Sequence, residues 1–375
     1  MITAEERREE IQVGALQALL QDRRRLLSGL AFFLLVVVAI YLVFPKLVGT
    51  GDVLKRIGDA TWYWVVAALA FNVAAFAAYV ALFRGVLGGT GNDLVRRRLD
   101  ARASYQITMA GLAATRIFSA GGAGGIAVTY WALRKAGMER RRSACRMVAF
   151  LVLLYSIYLI SLVLFGVLLR AGVLPGEAPL AGTIVPAAVA AAVMGVFLLV
   201  ALIPRDVERR IEGFSKGYRR ARYATRLASG PATLATGTRT ALDYLFNPRR
   251  GALAVSGAVG FWAANLAVLW ASFEAFGGDV PFAVLVQGFF VGMAANLVPS
   301  PAGGVGSVDA GMIGAFVLFG VDSEIVFPAV LTYRAVAFWL PIPPGIVAYF
   351  QLRATVTKWQ ASYTSESKVM TAEVT

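Results

Sequence analysis

Three charged residues stand inside long apolar stretches: Arg116, Asp309 and Arg334. A charge near the centre of a bilayer costs about 2.5 to 3.5 kcal/mol on insertion scales, so a residue of this kind defaults to a functional role. Guanidinium offers a planar two-donor fork that suits phosphate or carboxylate, which makes a pair of deep arginines a candidate anion site. The bland alternative is that each arginine bonds carbonyls at a helix break and holds that break together. Asp309 is expected at the depth of Arg334, where the two form an ion pair or Asp309 serves a proton or cation. Further donors, acceptors and small residues flank the two arginines. Thr115, Ser119, Gly122, Gly125 and Tyr130 lie near the first, and Asn296, Ser300, Gly303, Gly306 and Tyr333 near the second. Asn72 and Asn265 are expected to bond neighbouring helices.

The chain has one cysteine, Cys145, and no histidine. Disulfides, Cys/His zinc sites and Ser-His or Cys-His nucleophile pairs are thereby excluded. The expectation is a protein that is not an enzyme and needs no metal or cofactor.

Elements that hold charges at such depth must span a membrane. Of 375 residues, 58% are hydrophobic and 15% charged, against about 25% charged in a soluble domain. Apolar runs of the roughly 20 residues needed to cross hydrocarbon recur. Spans are predicted at 27–44, 61–87, 146–169, 181–203, 252–276 and 326–350. Residues 1–26 read as a cytoplasmic surface helix, with acids early and Arg23, Arg24 and Arg25 at its end. The first span lacks a small-residue cleavage signature and is expected to stay as an anchor.

Two segments fit no single crossing. Residues 103–133 are too long for one and too short for two, and contain Ser119-Ala-Gly-Gly-Ala-Gly-Gly125. Residues 282–320 are interrupted by Pro299-Ser-Pro-Ala-Gly-Gly-Val-Gly306. Both are predicted to be re-entrant hairpins, since broken backbone at membrane depth must be buried in protein or line a wet cavity. By helical rise, Arg116 lies about 20 Å along the first hairpin and Arg334 about 13 Å into the last span.

Charge counting favours this topology. With both hairpins re-entrant and a cytoplasmic N-terminus, 30 Lys and Arg lie inside against four outside; a full crossing by 103–133 changes the split to 11 against 23. Cytoplasmic loops carry the positive excess in membrane proteins. The rule does not decide between a hairpin and two short spans at 282–320. It does explain the net charge of +14 without a nucleic-acid partner. Within the basic loop 204–251, Ile211, Phe214 and Tyr218 alternate with arginines in a pattern usable for RNA or anionic headgroups, and beside six spans an anionic membrane surface is the expected contact.

At an offset of 181, Gly111-Leu-Ala-Ala-Thr-Arg-Ile-Phe-Ser119 aligns with Gly292-Met-Ala-Ala-Asn-Leu-Val-Pro-Ser300, and Gly122 and Gly125 then fall on Gly303 and Gly306. With hairpins entering from opposite sides, this describes an inverted-topology repeat. The fold class expected is therefore an all-α polytopic membrane protein of about six spans plus two hairpins. Its repeats occupy 27–170 and 171–352, followed by a cytoplasmic tail at 353–375. Transporters of this design place their sites where the repeats meet near the midplane.

The run Asn296-Leu-Val-Pro-Ser-Pro-Ala-Gly-Gly-Val-Gly-Ser-Val-Asp309, then Phe319-Gly320, Leu331-Thr-Tyr-Arg334 and Phe338-Trp-Leu-Pro341, resembles the flippase-like transmembrane domain of bacterial lysylphosphatidylglycerol synthases and its stand-alone relatives. The resemblance implies translocation of phospholipid or polyprenyl-linked headgroups in a bacterial cytoplasmic membrane, with Asp309 and Arg334 at the family's acidic and basic positions. Ala302 stands between the proline and the Gly pair, where the family usually has Pro directly before the pair, and the first hairpin lacks the acid often found in relatives. The chain ends without the soluble aminoacyltransferase domain, so the expectation is that it does not make lysyl-lipid.

A lipid flippase or headgroup transporter is thus the expected function. A secondary transporter for a small soluble anion and a non-transporting scaffold are the alternatives. The topology has a direct test. In a Cys145→Ala background, a cysteine at Gly137 is expected to be shielded from an impermeant external reagent in intact cells and one at Gly172 to be labelled; external labelling of 137 refutes the first hairpin.

Overall fold

A computed structural model describes residues 60–88, 93–117, 123–202, 221–297 and 304–373. The expected surface helix 1–26, the span 27–44, and Ser119, Gly122, Ile211, Phe214, Tyr218, Ser300 and Gly303 lie outside the described residues. The protein is an all-α polytopic membrane protein, and among the described residues five helices are long and apolar enough to cross a bilayer.

The centre is an antiparallel pair. Helix α1 (Trp62–Phe83) is an uncharged apolar run extended by a π turn, Arg84–Gly88. Between it and the later helix α8 (Pro248–Glu274), which begins with proline at its first turn where no N–H is missed, side chains are small. Gly85 faces the backbone of Ala254, Gly257 faces Leu82, and Gly260 faces Ala78. Without a hydrophobic effect between helices in lipid, such close backbone approach supplies the adhesion. The seam runs the full length: Trp64 stacks edge-on against Trp270 at 4.9 Å, and the Thr61 N–H donates to the Ala275 carbonyl at 3.0 Å.

Short helix α2 (Asp93–Arg98) leads into the first hairpin, α3 (Ala101–Ile117) and α4 (Ala123–Lys135). Asp100 caps α3 by accepting from the Ala103 N–H at 2.7 Å. The hairpin arms close through Gly111 and Gly125, which touch. Then come α5 (Arg140–Arg170), α6 (Ile184–Ala201) and α7 (Ala221–Phe246). After α8 the second hairpin follows: α9 (Phe282–Met293) with a 3-10 turn, Ala294–Leu297, and α10 (Ser307–Leu318). Its arms close through Gly292 against Met312, Gly311 against Ala295 and Gly288 against Phe316. The chain ends in α11 (Ser323–Arg334), a π turn (Ala335–Trp339) and α12 (Ile342–Glu373).

Contacts sort the connections onto two poles. At a basic pole, Arg146 donates to the Val86 carbonyl and the Tyr244 hydroxyl, Arg98 to the Trp359 carbonyl, and Thr355 to Gln106 Oε1, while Gly137 lies beside Val95. At the other pole, Arg170 donates to the Ala178 carbonyl, Gly278 meets Ile325, Gly182 meets Phe319 and Gly320 meets Glu177. Both ends of the first hairpin lie at the basic pole, and both ends of the second at its opposite. Each long helix after a hairpin packs on the other half's hairpin: α5 along α9, where Tyr158 donates to the Phe290 carbonyl at 2.7 Å, and α12 along α3, where Gly345 meets Ala113.

Three expectations change. Gly125 is helical and touches Gly111, whereas Gly306 starts α10 at φ +83°, so the offset that aligns the first arms does not continue through the second. The basic loop 204–251 contains a helix, α7, packed on α5 and α6, with Arg239 Nε capping the Ala201 carbonyl at 2.7 Å. The last span runs over Ser323–Ala361 as one apolar segment, but its α-helical bonding is interrupted by the π turn Ala335–Trp339 and a turn at Leu340 and Pro341. Gly137 and Gly172 take φ of +99° and +69°. Cysteines at exposed Lys135 and Ala171 therefore report the same sides without left-handed strain.

The α1–α8 seam can be tested by overpacking. A Cβ at Gly85 comes within 2.6 Å of the Ala254 nitrogen, so Gly85→Val is expected to cost about 1 to 3 kcal/mol or more and to lower the melting temperature of the purified protein. Gly195, with nothing within 4 Å of its added Cβ, is the control: Gly195→Ala leaves melting unchanged or slightly raised.

Candidate functional site

Asn72 and Asn265 stand at the same level of the α1–α8 pair, each roughly 15 Å by helical rise from the Thr61–Ala275 end. In hydrocarbon about 30 Å thick that is mid-depth. Both reach the α11 segment. Asn72 Nδ2 donates to the Val336 carbonyl at 3.0 Å, and Asn265 Oδ1 accepts from the Tyr333 hydroxyl at 3.5 Å while its amide donates to Phe261. Both asparagines thus bond a neighbouring helix, as their positions suggested.

The break that follows α11 has a local cause. Leu340 N–H reaches back five residues to the Ala335 carbonyl, at 3.0 Å. In that register the next donor belongs to Pro341, which has none, so Val336 goes unpaired within the helix. Pro341 is also the four-residue partner of Ala337, and Pro343 the five-residue partner of Phe338. The single N–H of Ile342 is left for Ala337 and Phe338 together, and side chains supply the other donors. Asn72 takes Val336; Arg116, from the tip of the first hairpin, takes Phe338 through Nη1 at 2.7 Å and Ala337 through Nη2 at 2.8 Å.

Arg334 is held differently. Its Nε donates to Asp309 Oδ1 at 2.6 Å and its Nη2 to the Gly304 carbonyl at 3.3 Å. Both side chains of the pair are nearly inaccessible, at 5% and 7% exposure. Asp309 is itself fixed at the start of α10, where Oδ2 accepts from the Gly306 N–H at 2.8 Å and the carboxylate faces the positive helix end. The Phe338 ring joins the two arginines: its centroid lies 4.1 Å from Arg334 Cζ and 5.1 Å from Arg116 Cζ, distances at which a cation is attracted to the ring.

Two cations and one anion meet here, and Asp309 is the one carboxylate among the buried described residues. Arg116 Nε and Arg334 Nη1 donate to nothing among the described residues. The arrangement has the charge excess and the donors to hold one anionic group between the first hairpin and α11.

Of the residues singled out from sequence, the structure brings together Arg116, Asp309, Tyr333 and Arg334, with Gly306 beneath the carboxylate. Asn296 is exposed at the second tip, its Oδ1 against Gly304. Thr115 bonds its own helix at Gly111, Gly125 is consumed in hairpin packing, and Tyr130 is half-buried against the core. Sequence reasoning missed Phe338 and the break at its side. The signal was present in Pro341, Pro343 and Pro344, which were absorbed into a continuous span because the flanking residues are apolar.

The profile of the family described as lysylphosphatidylglycerol synthase TM region matches residues 27–345. Two segment matches to a UPF0104 membrane protein of Methanothermobacter thermautotrophicus are each 28% identical, over 87 and 86 residues, covering 23% of this chain. They span 26% of that relative's length, about a quarter.

The buried pair sets a stability expectation. Asp309→Ala strands Arg334 and is expected to cost about 3 to 5 kcal/mol, whereas replacing both partners by apolar residues can be nearly neutral. Thermal unfolding of Asp309→Ala and of Asp309→Ala/Arg334→Met checks this; equal losses in the two variants refute the pair's dominance.

Proposed function

Since the chain belongs to the lysylphosphatidylglycerol synthase transmembrane-region family, we propose that it binds an anionic, phosphate-bearing lipid headgroup between Arg116 and Arg334 and moves it between leaflets. The observation that carries this is two guanidiniums beside one carboxylate, with one nitrogen on each arginine that has no partner among the described residues. A substrate phosphate supplies the missing negative charge and bonds both nitrogens. The arginines come from opposite halves of the molecule, so the ligand bridges the two hairpin systems, which alternating access between inverted repeats requires. On this reading both hairpins are re-entrant, the basic pole is cytoplasmic, and the protein resides in a bacterial cytoplasmic membrane with both termini inside. Anionic lipids of that leaflet gather at the basic pole.

One observation favours a second reading, a non-transporting scaffold: both Nη atoms of Arg116 end on backbone carbonyls, as a purely structural arginine requires. Transport assays separate the two. Purified variants in liposomes, with folding checked by size-exclusion profile, are scored for flipping of headgroup-labelled phospholipid. Arg334→Lys keeps the charge but not the planar fork and is expected to lose most transport, on the order of tenfold or more. A well-folded Arg116→Ala/Arg334→Ala double variant that flips like wild type returns both arginines to a structural role.

A further inference from the structure

The proline break between α11 and α12 has two kinds of donor holding it closed, and they differ in what can remove them. Asn72 is neutral and sits in the rigid α1–α8 seam. Arg116 is a cation on a hairpin tip, and its two acceptors are neutral carbonyls. A phosphate oxygen is the stronger acceptor, because hydrogen bonds between ionised partners are roughly twice as strong as neutral ones.

We infer that Arg116 is an exchangeable latch on this break: an anionic phosphate group that engages the guanidinium draws it from the Ala337 and Phe338 carbonyls, and the break loosens. The inference rests on the phosphate-binding role proposed above for Arg116. It adds a route from ligand to movement. The break divides the last transmembrane segment between two bodies. α12 travels with the first hairpin, through Gly345 against Ala113 and Thr355 on Gln106. α11 is tied to the second hairpin and to α8, through the Arg334–Asp309 pair and the Tyr333–Asn265 bond. Latched, the two bodies are joined by Arg116 across the break. Unlatched, they remain joined there through Asn72 and the covalent chain, a small hinge set close to where the ligand binds. Asn72 is a positioning residue in this scheme, since it holds the pivot and touches no ligand.

Hydrogen exchange reads the break directly, because amides open in proportion to local stability. The full chain is placed in nanodiscs of phosphatidylcholine alone, of phosphatidylcholine with phosphatidylglycerol, and of phosphatidylcholine with added inorganic phosphate. Native mass spectrometry scores retained phosphatidylglycerol in parallel. Peptides covering residues 335–340 are expected to exchange slowly in phosphatidylcholine and about tenfold faster with phosphatidylglycerol, the change for losing one hydrogen bond to a charged group. Equal acceleration by inorganic phosphate supports the latch with a free anion as its key, and acceleration by the lipid alone supports it with a membrane-presented headgroup. Arg116→Gln should exchange fast in all three. Asn72→Ala, which leaves the guanidinium in place, should exchange faster than wild type in phosphatidylcholine and still respond to phosphatidylglycerol. Retained phosphatidylglycerol with unchanged exchange at 335–340 overturns the latch and leaves the proposed function standing. No retained phosphatidylglycerol, with no response to phosphate, overturns both.

Discussion

Within hydrocarbon a backbone carbonyl has no water to turn to, so each one that a helix releases must find a donor in the protein. The π turn at Ala335–Trp339 and the prolines behind it leave Val336 without a backbone donor and a single Ile342 N–H for Ala337 and Phe338 together. Much of the centre of this molecule follows from answering them. Asn72 is fixed on the seam to meet Val336, and the first hairpin extends until its Arg116 meets Ala337 and Phe338. An unsatisfied polar group in a medium without partners costs several kcal/mol, more than one asparagine or arginine side chain costs to order. The break is therefore held by elements from both halves of the chain.

Satisfying backbone with a guanidinium brings a charge to mid-depth, and the second arginine brings another. Asp309 neutralises one of them. The Phe338 ring, lying against both guanidiniums, softens the rest without supplying a counter-charge. A buried ion pair contributes little net stability over apolar replacements. On the function proposed above, the two arginines and one carboxylate are a standing demand for an anion.

The scaffold that bears this demand is built from small residues. Glycines let α1 and α8 approach to backbone contact and close both hairpins, so that short arms with few large side chains still pack. The exchange of partners, α5 on the second hairpin and α12 on the first, means that neither half completes its core alone.

Apolar runs and the glycine and proline interruptions determined, from sequence alone, the all-α polytopic class and the approximate places of the long apolar helices α1, α5, α6 and α8, but not helix α7 or the interruption of the last span. These are local properties: length against bilayer thickness and backbone freedom at glycine. Arg116, Asp309 and Arg334 were legible as candidates for the same reason, since a charge in an apolar run is anomalous wherever the run folds. What they bond was not legible. Arg116 and Phe338 are 222 residues apart, and no local pattern reports that a hairpin tip ends beside a π turn. The repeat register misled in the second arms because glycine spacing records composition, while the contact of Gly125 with Gly111 and of Gly311 with Ala295 depends on the length of each tip. Only the tertiary structure decided which carbonyls lacked donors and which side chains were near enough to supply them.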